Sequence, residues 1–295
     1  MKKILFTCFL TFAAIGGYAQ TAPRKLSLNV TTGYGQQDLK WSIAGNLAGQ
    51  NPNIYSELQW KKVGGVLLTA TGEWNVWKRF MLTAGYANVF TTSGTVRDND
   101  YNGDNRTNMV YDDLFDADKG YLRDWSIGAG YVLINKSRFT LNGYAGYNVS
   151  TQSLYILDRT GNISDLNSTY KASWKGPFVR AIGSLTISSK LNVNAGLQYN
   201  QANYSAAADW NLIQTFQHPV SYRHAANGFG IDGDLKLVYK LCDKLAIQAG
   251  GGYYNWQTGN GIDELFLSAG GSNKTQLNKA EREGYRLSAG VMIRW

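Results

Sequence analysis

The feature that most limits the possible folds of this chain is an alternation of apolar and polar residues with a period of two. In the stretch from Leu191 to Tyr199, every second residue is apolar and most of the residues between are Asn or Gln. Side chains with this spacing point to opposite faces of a β-strand. About ten such stretches follow one another along the chain. The sequence therefore predicts an all-β fold, a ten-stranded antiparallel barrel.

The connections between the predicted strands alternate in length. Short turns are expected at residues 75–78, 135–137, 188–190 and 242–244, and long polar connections at 35–54, 92–123, 156–170, 206–228 and 257–283. Outer-membrane barrels have short periplasmic turns, long external loops and aromatic residues at both membrane interfaces. A soluble β-sandwich also shows residue alternation, but it does not account for the alternating connections. We therefore expect a transmembrane barrel in the bacterial outer membrane.

The amino terminus has the pattern of a signal peptide. Lys2 and Lys3 precede an apolar run, and small residues follow at 17–19. This pattern predicts a signal peptide at 1–19 and one barrel domain at 20–295. Cys242 is then the single cysteine, which rules out an internal disulfide. The formal charge of +8, which includes the signal peptide, is too small to indicate a nucleic-acid partner. We expect a monomer in contact with outer-membrane lipid.

One predicted external connection is unusually acidic. It reads "TVRDNDYNGDNRT" at 95–107, and its simplest interpretation is a polar loop rich in turn residues. Asp98, Asp100, Asn102 and Gly103 also fit the opening of a calcium loop, although Met109 stands where such a loop needs Glu. We expect no cofactor, and weak calcium binding is left open.

Four short motifs resemble a known family. They are "SELQW" at 56–60, "TSGTVRDND" at 92–100, "YKASWKGPFV" at 170–179 and "QYNQANYSAAADWN" at 198–211. Their order and spacing resemble the omptins, which are ten-stranded outer-membrane endopeptidases. The resemblance implies an active site at the external barrel mouth and a requirement for lipopolysaccharide. It also implies that the basic residues Lys171, Lys175 and Arg180 touch lipid phosphates.

The resemblance implies a set of catalytic residues. Asp98 and Asp100 match the aspartate pair that holds the attacking water, and Asp209 matches the acid of an Asp-His dyad. Asn211 stands where the histidine of that dyad belongs. An amide cannot accept a proton from water, so the omptin mechanism would need another base.

Two further positions bear on catalysis and substrate choice. His218 and His224 are the two histidines of the chain, and a folded-back loop would be needed to bring one of them to Asp209. Asp38 loosely matches an omptin acid that binds basic side chains of the substrate. The second such acid falls at Ala207, which weakens the expected pocket.

Two classes of function stay open. One is a cell-surface endopeptidase acting on an extracellular peptide or protein. The other is a catalytically inactive barrel that binds a partner as an adhesin or serves as a structural outer-membrane protein. A pore is less favoured, because charged residues are expected to fill the lumen of a ten-stranded barrel. These residues are Glu57, Lys61, Glu73, Arg79, Asp232, Asp234, Lys236 and Arg286.

Overall fold

A computed structural model describes residues 26–295, and the predicted signal peptide at 1–19 lies outside them. The described chain forms eleven β-strands and one short 3₁₀ turn, Asp104–Arg106. The strands are β1 (Leu26–Ile43), β2 (Ser56–Trp77), β3 (Phe80–Gly103), β4 (Thr107–Asp116), β5 (Tyr121–Asn135), β6 (Phe139–Leu157), β7 (Asn167–Thr186), β8 (Leu191–Asp209), β9 (Tyr222–Lys240), β10 (Leu245–Phe266) and β11 (Ser272–Arg294). Between residues 26 and 295, no helix is long and apolar enough to cross a membrane.

Ten strands close into an antiparallel ring, which confirms the predicted fold. Consecutive strands pair around the ring, and β1 pairs with β11 to close it. The eleventh strand, β4, was not predicted. It folds back and pairs with the second half of β3, residues 95–103. The first half of β3, residues 80–90, pairs with β5 instead, so β4 extends the barrel wall beyond the ring of ten strands.

The membrane-facing band is marked by exposed apolar side chains. On β3 these are Phe80, Leu82, Tyr86 and Phe90, all at even positions. The odd positions between them are less exposed and face the lumen. A rise of about 3.3 Å per residue and the usual strand tilt make this band about 25 Å tall, the height of an outer-membrane hydrocarbon layer. Residues of β3 beyond Phe90 therefore lie outside the membrane.

The strands continue far beyond the membrane, where the sequence predicted long loops. β3 has 24 residues, whereas about ten are enough to cross a bilayer. The predicted loop at 92–123 is largely the β3–β4 hairpin, and the predicted loop at 257–283 is mostly β10 and β11. Continued pairing satisfies many of the backbone groups of these polar segments. The long polar segments thus build a rigid wall around the mouth, and the four short turns occur as predicted.

Charged side chains line the lumen and pair across it. Arg286 is ion-paired with Asp124, and Arg180 with Asp234. The guanidinium of Arg282 lies 4.2 Å from the ring centroid of Trp256. Arg180 therefore faces the lumen from the inward face of β7, whereas Lys171 and Lys175 are exposed on the outward face of the same strand.

A bulge reverses which face of β2 and β3 points inward. The pairing of β2 with β3 shifts between Lys61 and Gly65, where Lys62 has φ 54° and Gly94 on the facing strand has φ 141°. On the membrane side of the bulge Leu67 is buried, and on the external side Leu58 is buried, so the inward face changes from odd to even positions. Glu57 and Lys61 consequently lie on the outer face and bind Arg106 and Asp38, and do not face the lumen as predicted.

Candidate binding site at the barrel mouth

The external mouth encloses a cavity of roughly 600 Å³. Most of its wall is apolar, and its aromatic residues are Trp41, Tyr55, Tyr111, Phe115, Trp210, Phe216 and Tyr222. Its ionisable groups other than tyrosine are Asp98, Asp100 and Asp263. The volume and lining are typical of a site for a small molecule or for part of a peptide.

Asp98 and Asp100 face this cavity because of the bulge. Asp98 pairs across the sheet with Leu58, and Asp100 with Ser56, so each shares the inward face of β2 and β3 above Lys61. Burial, followed by the nearby charges of Asp100 and Asp113, raises the pKa of Asp98 to about 8. Burial also raises the pKa of Asp100, which a hydrogen bond from Ser56 opposes. Asp98 is therefore mostly protonated at neutral pH.

Three buried polar atoms of the cavity residues make no hydrogen bond within residues 26–295. They are Oδ1 of Asp98, Nε1 of Trp41 and the hydroxyl oxygen of Tyr222. Buried polar groups almost always have partners, and an unpaired one costs about 1–3 kcal/mol. Asp98 offers an acceptor when ionised, Trp41 offers a donor, and Tyr222 offers either. A ligand with both donors and acceptors would complement this set.

A buried polar chain stands beside the cavity. Nε2 of His224 lies 3.1 Å from Oδ1 of Asp263, although not in hydrogen-bonding orientation, and Nδ1 lies 2.8 Å from the Tyr170 hydroxyl. The Tyr170 hydroxyl in turn bonds that of Tyr204. The His224 side chain is 0% exposed and packs against Trp41. The sequence identified His224 as a candidate but not Asp263, which lies in the segment 257–283 that was predicted to be a long external connection.

The other histidine does meet Asp209. Nδ1 of His218 lies 2.6 Å from Oδ1 of Asp209, so the connection at 210–221 folds back as such a contact requires. Ala208 is buried on the inward face of β8, which puts Asp209 on the outward face. Neither Asp209 nor His218 is among the residues that line the mouth cavity. The four residues implied by the omptin resemblance therefore do not face one another across it.

Asn211 connects two external loops. Its Oδ1 accepts hydrogen bonds from the backbone N–H of Asn167 at 3.1 Å and from the Ser168 hydroxyl at 3.0 Å. Its Nδ2 donates to the carbonyl of Asp165 at 2.8 Å. These contacts use both the oxygen and the nitrogen of the amide. The observed role of Asn211 is therefore to hold the connection at 158–166 and the start of β7 against the start of the connection at 210–221.

Asp38 lies on the outward face of β1, between the buried residues Gln37 and Leu39. Oδ2 of Asp38 lies 3.0 Å from Nζ of Lys61, and Oδ1 accepts a hydrogen bond of 2.7 Å from the backbone N–H of Lys62. This carboxylate caps the bulge. It is not among the residues that line the cavity.

The arrangement favours binding over proton transfer. Neither His218 nor His224 is among the residues that line the cavity, and the His224 side chain is 0% exposed, so no imidazole reaches a water in the cavity. Within the described part of the chain, no group of three or more His, Cys, Asp or Glu side chains is arranged to hold a metal ion. Weak calcium binding, which the sequence left open, stays open.

A solved structure of another outer-membrane protein has a similar fold. The outer membrane protease OmpT from Escherichia coli has a TM-score of 0.75 and 14% sequence identity, with 94% of this chain and 99% of OmpT covered. The translocator domain of autotransporter NalP from Neisseria meningitidis has a TM-score of 0.41 and 13% identity, covering 94% of this chain and 90% of that one. At 14% identity, the likeness to OmpT shows a shared fold.

The sequence itself assigns the family. A search of curated protein sequences finds no match. The sequence profile of the Protochlamydia outer membrane protein family matches residues 29–294, which is nearly all of the described barrel. The chain therefore belongs to the Protochlamydia outer membrane protein family and resides in the bacterial outer membrane.

Proposed function

We propose that this protein is a cell-surface binding barrel whose mouth cavity holds a ligand with an apolar body and a cationic group, such as a basic side chain of a peptide. The observation that carries the proposal is the unpaired Oδ1 of Asp98, buried beside Asp100 in an aromatic cavity. A cationic group would give Asp98 the hydrogen bond and the opposite charge that it lacks. Hydrogen bonds to charged groups contribute about 1.5–3 kcal/mol each.

The two other unpaired atoms favour a ligand that also contains peptide bonds. Nε1 of Trp41 needs an acceptor, and a peptide carbonyl is a strong one. The Tyr222 hydroxyl can donate to a carbonyl or accept from an N–H. The aromatic walls suit the apolar part of such a ligand, and a cation beside them gains further attraction from the rings.

The proposal makes a specific prediction about pH. A bound cation favours the ionised form of Asp98, so binding releases a proton at pH values between the lowered pKa of Asp98 in the complex and about 8. Affinity for the cationic ligand should therefore rise with pH by up to about tenfold per pH unit until it levels near pH 8.

Calorimetric titration of the refolded barrel in detergent micelles tests the proposal. The probe is the blocked tripeptide acetyl-Phe-Arg-Phe-amide, compared with the same peptide carrying norleucine in place of Arg. We expect norleucine to lower the affinity at least tenfold, and the double variant Asp98→Asn/Asp100→Asn to lower it equally. Asp118→Asn, an exposed acid between β4 and β5, is the matched control and should bind as the wild type does. Equal binding of both peptides would refute a cation site.

Peptide hydrolysis is the second candidate, and the Asp209–His218 contact of 2.6 Å favours it. Mass spectrometry of the same incubations, with and without lipopolysaccharide, would detect cleavage. Activity that is lost in both Asp209→Asn and His218→Ala would establish this pair as a catalytic dyad. Activity that appears only in Asn211→His would instead support the position implied by the omptin resemblance.

A further inference from the structure

The external wall of the barrel has an unpaired strand edge beside the mouth cavity. One edge of β4 pairs with β3 from Thr107 to Asp116. Along the other edge, the single ladder contact within residues 26–295 joins Asp116 to Leu157 of β6. Most of β4 therefore presents backbone N–H and C=O groups that have no strand partner.

This edge lacks two of the residue types that most often block strand pairing, lysine and proline. Exposed edges are commonly protected by Lys, Pro or very short strands. β4 has ten residues, "TNMVYDDLFD", with no Lys and no Pro. Its apolar side chains are largely solvent-exposed, with values of 51% for Met109, 56% for Val110 and 41% for Tyr111. The acid nearest this group, Asp112, is neutralised by Arg97 at 2.6 Å.

The free edge borders the cavity directly. Tyr111 and Phe115 of β4 line the cavity, and so does Ile156 of β6 across the gap between the two strands. Asp113 on the same face of β4 is paired in register with Asp98. A strand added to β4 would therefore direct every second side chain toward the cavity that contains Asp98 and Asp100.

We propose that the free edge of β4 binds an extended peptide segment as an added β-strand, with a basic side chain of that segment entering the mouth cavity. This inference rests on the proposed function and specifies its ligand class. Main-chain hydrogen bonds to β4 supply affinity that depends little on sequence, and the cavity selects the side chain. The acids Asp98, Asp100 and Asp113 complement the charge of the basic residue.

The test compares peptides that differ only in backbone hydrogen bonding. The probe is a blocked nine-residue peptide of alternating Thr and Val with a central Arg. Two analogues are N-methylated, one at the odd and one at the even non-terminal positions. Because a strand pairs through alternate residues, at least one analogue should bind at least tenfold more weakly than the parent. If both bind within twofold of the parent, strand pairing is refuted while the cation site stands.

A protein variant gives an independent test of strand addition to β4. Val110 has no partner in the β3 ladder, because the register shifts opposite it. Val110→Pro should weaken the nine-residue peptide at least tenfold and leave acetyl-Phe-Arg-Phe-amide within twofold of wild type. Heat-modifiable electrophoretic mobility checks that the variant folds.

Failure of both probes to bind wild type would overturn the proposed function as well. A dimer seen by sedimentation in detergent and abolished by Val110→Pro would mean that a second copy occupies the edge.

Discussion

Replacing Asp98 with Asn should stabilise the barrel, and the gain should increase with pH. The carboxyl group of Asp98 has a pKa near 3.8 when exposed in the unfolded chain and about 8 in the folded barrel, mainly because of burial. Below pH 3.8 both states hold the proton and the group contributes nothing. As the pH rises above that value, the unfolded state loses the proton while the folded state keeps it, so stability falls until about pH 8.

The magnitude follows from the separation of the two pKa values. Each pH unit between them costs about 1.4 kcal/mol, so the interval from pH 5 to pH 8 sets an upper limit of about 4 kcal/mol. Water has some access to the open mouth and screens part of this cost. We therefore expect Asp98→Asn to gain about 1–2 kcal/mol over wild type between pH 5 and pH 8.

Urea unfolding in detergent micelles, followed by tryptophan fluorescence at pH 5, 6, 7 and 8, measures this difference. The slope of the free energy of unfolding against urea should be the same for both proteins, since the buried surface does not change. Asp118→Asn removes an exposed acid from the connection between β4 and β5 and should show no gain that increases with pH. A constant difference between Asp98→Asn and wild type, or one that shrinks with pH, would contradict a buried carboxyl with a raised pKa.

Three further substitutions have clear expectations. Arg286→Ala leaves the partly buried Asp124 without its partner and should lower the free energy of unfolding by about 1–3 kcal/mol, whereas Asp124→Leu/Arg286→Met should lose less, as urea titration would show. Asn211→Ala removes three hydrogen bonds between loops and should speed amide hydrogen exchange at 158–166; unchanged exchange would mean that these bonds do not hold the loop. Asp209→Asn breaks a partly exposed pair and should change stability by less than about 1 kcal/mol; a larger loss would indicate a structural role.

The sequence predicted which face of a strand points into the lumen only as far as the first bulge in that strand. The alternation around Leu67 assigns faces correctly within the membrane, where apolar residues must face lipid. Above Lys61 the same counting puts Leu58 on the lipid side and Glu57 in the lumen, and both assignments are reversed by the bulge. A bulge depends on how two strands pair, and Lys62 carries no local signal for its positive φ.

The candidate site could be predicted in part. Asp98 and Asp100 were identified from their spacing and from the omptin resemblance, and both line the mouth cavity. Asp263 was not identified, because it meets His224 only when β10 pairs with β9 in register. Asp209 was expected to face the same cavity, but strand alternation directs it outward from its buried neighbour Ala208.

The sequence by itself determined a closed, antiparallel outer-membrane barrel of ten strands, because lipid imposes a period-two pattern that can be read one strand at a time. Only the tertiary structure decided that the polar segments 92–103 and 257–266 continue as strands, that β4 has a free edge, and that Asp98 lies unpaired in an aromatic cavity. Outside the membrane no such pattern is imposed, so strand pairing and bulges between distant residues decide the position of each side chain.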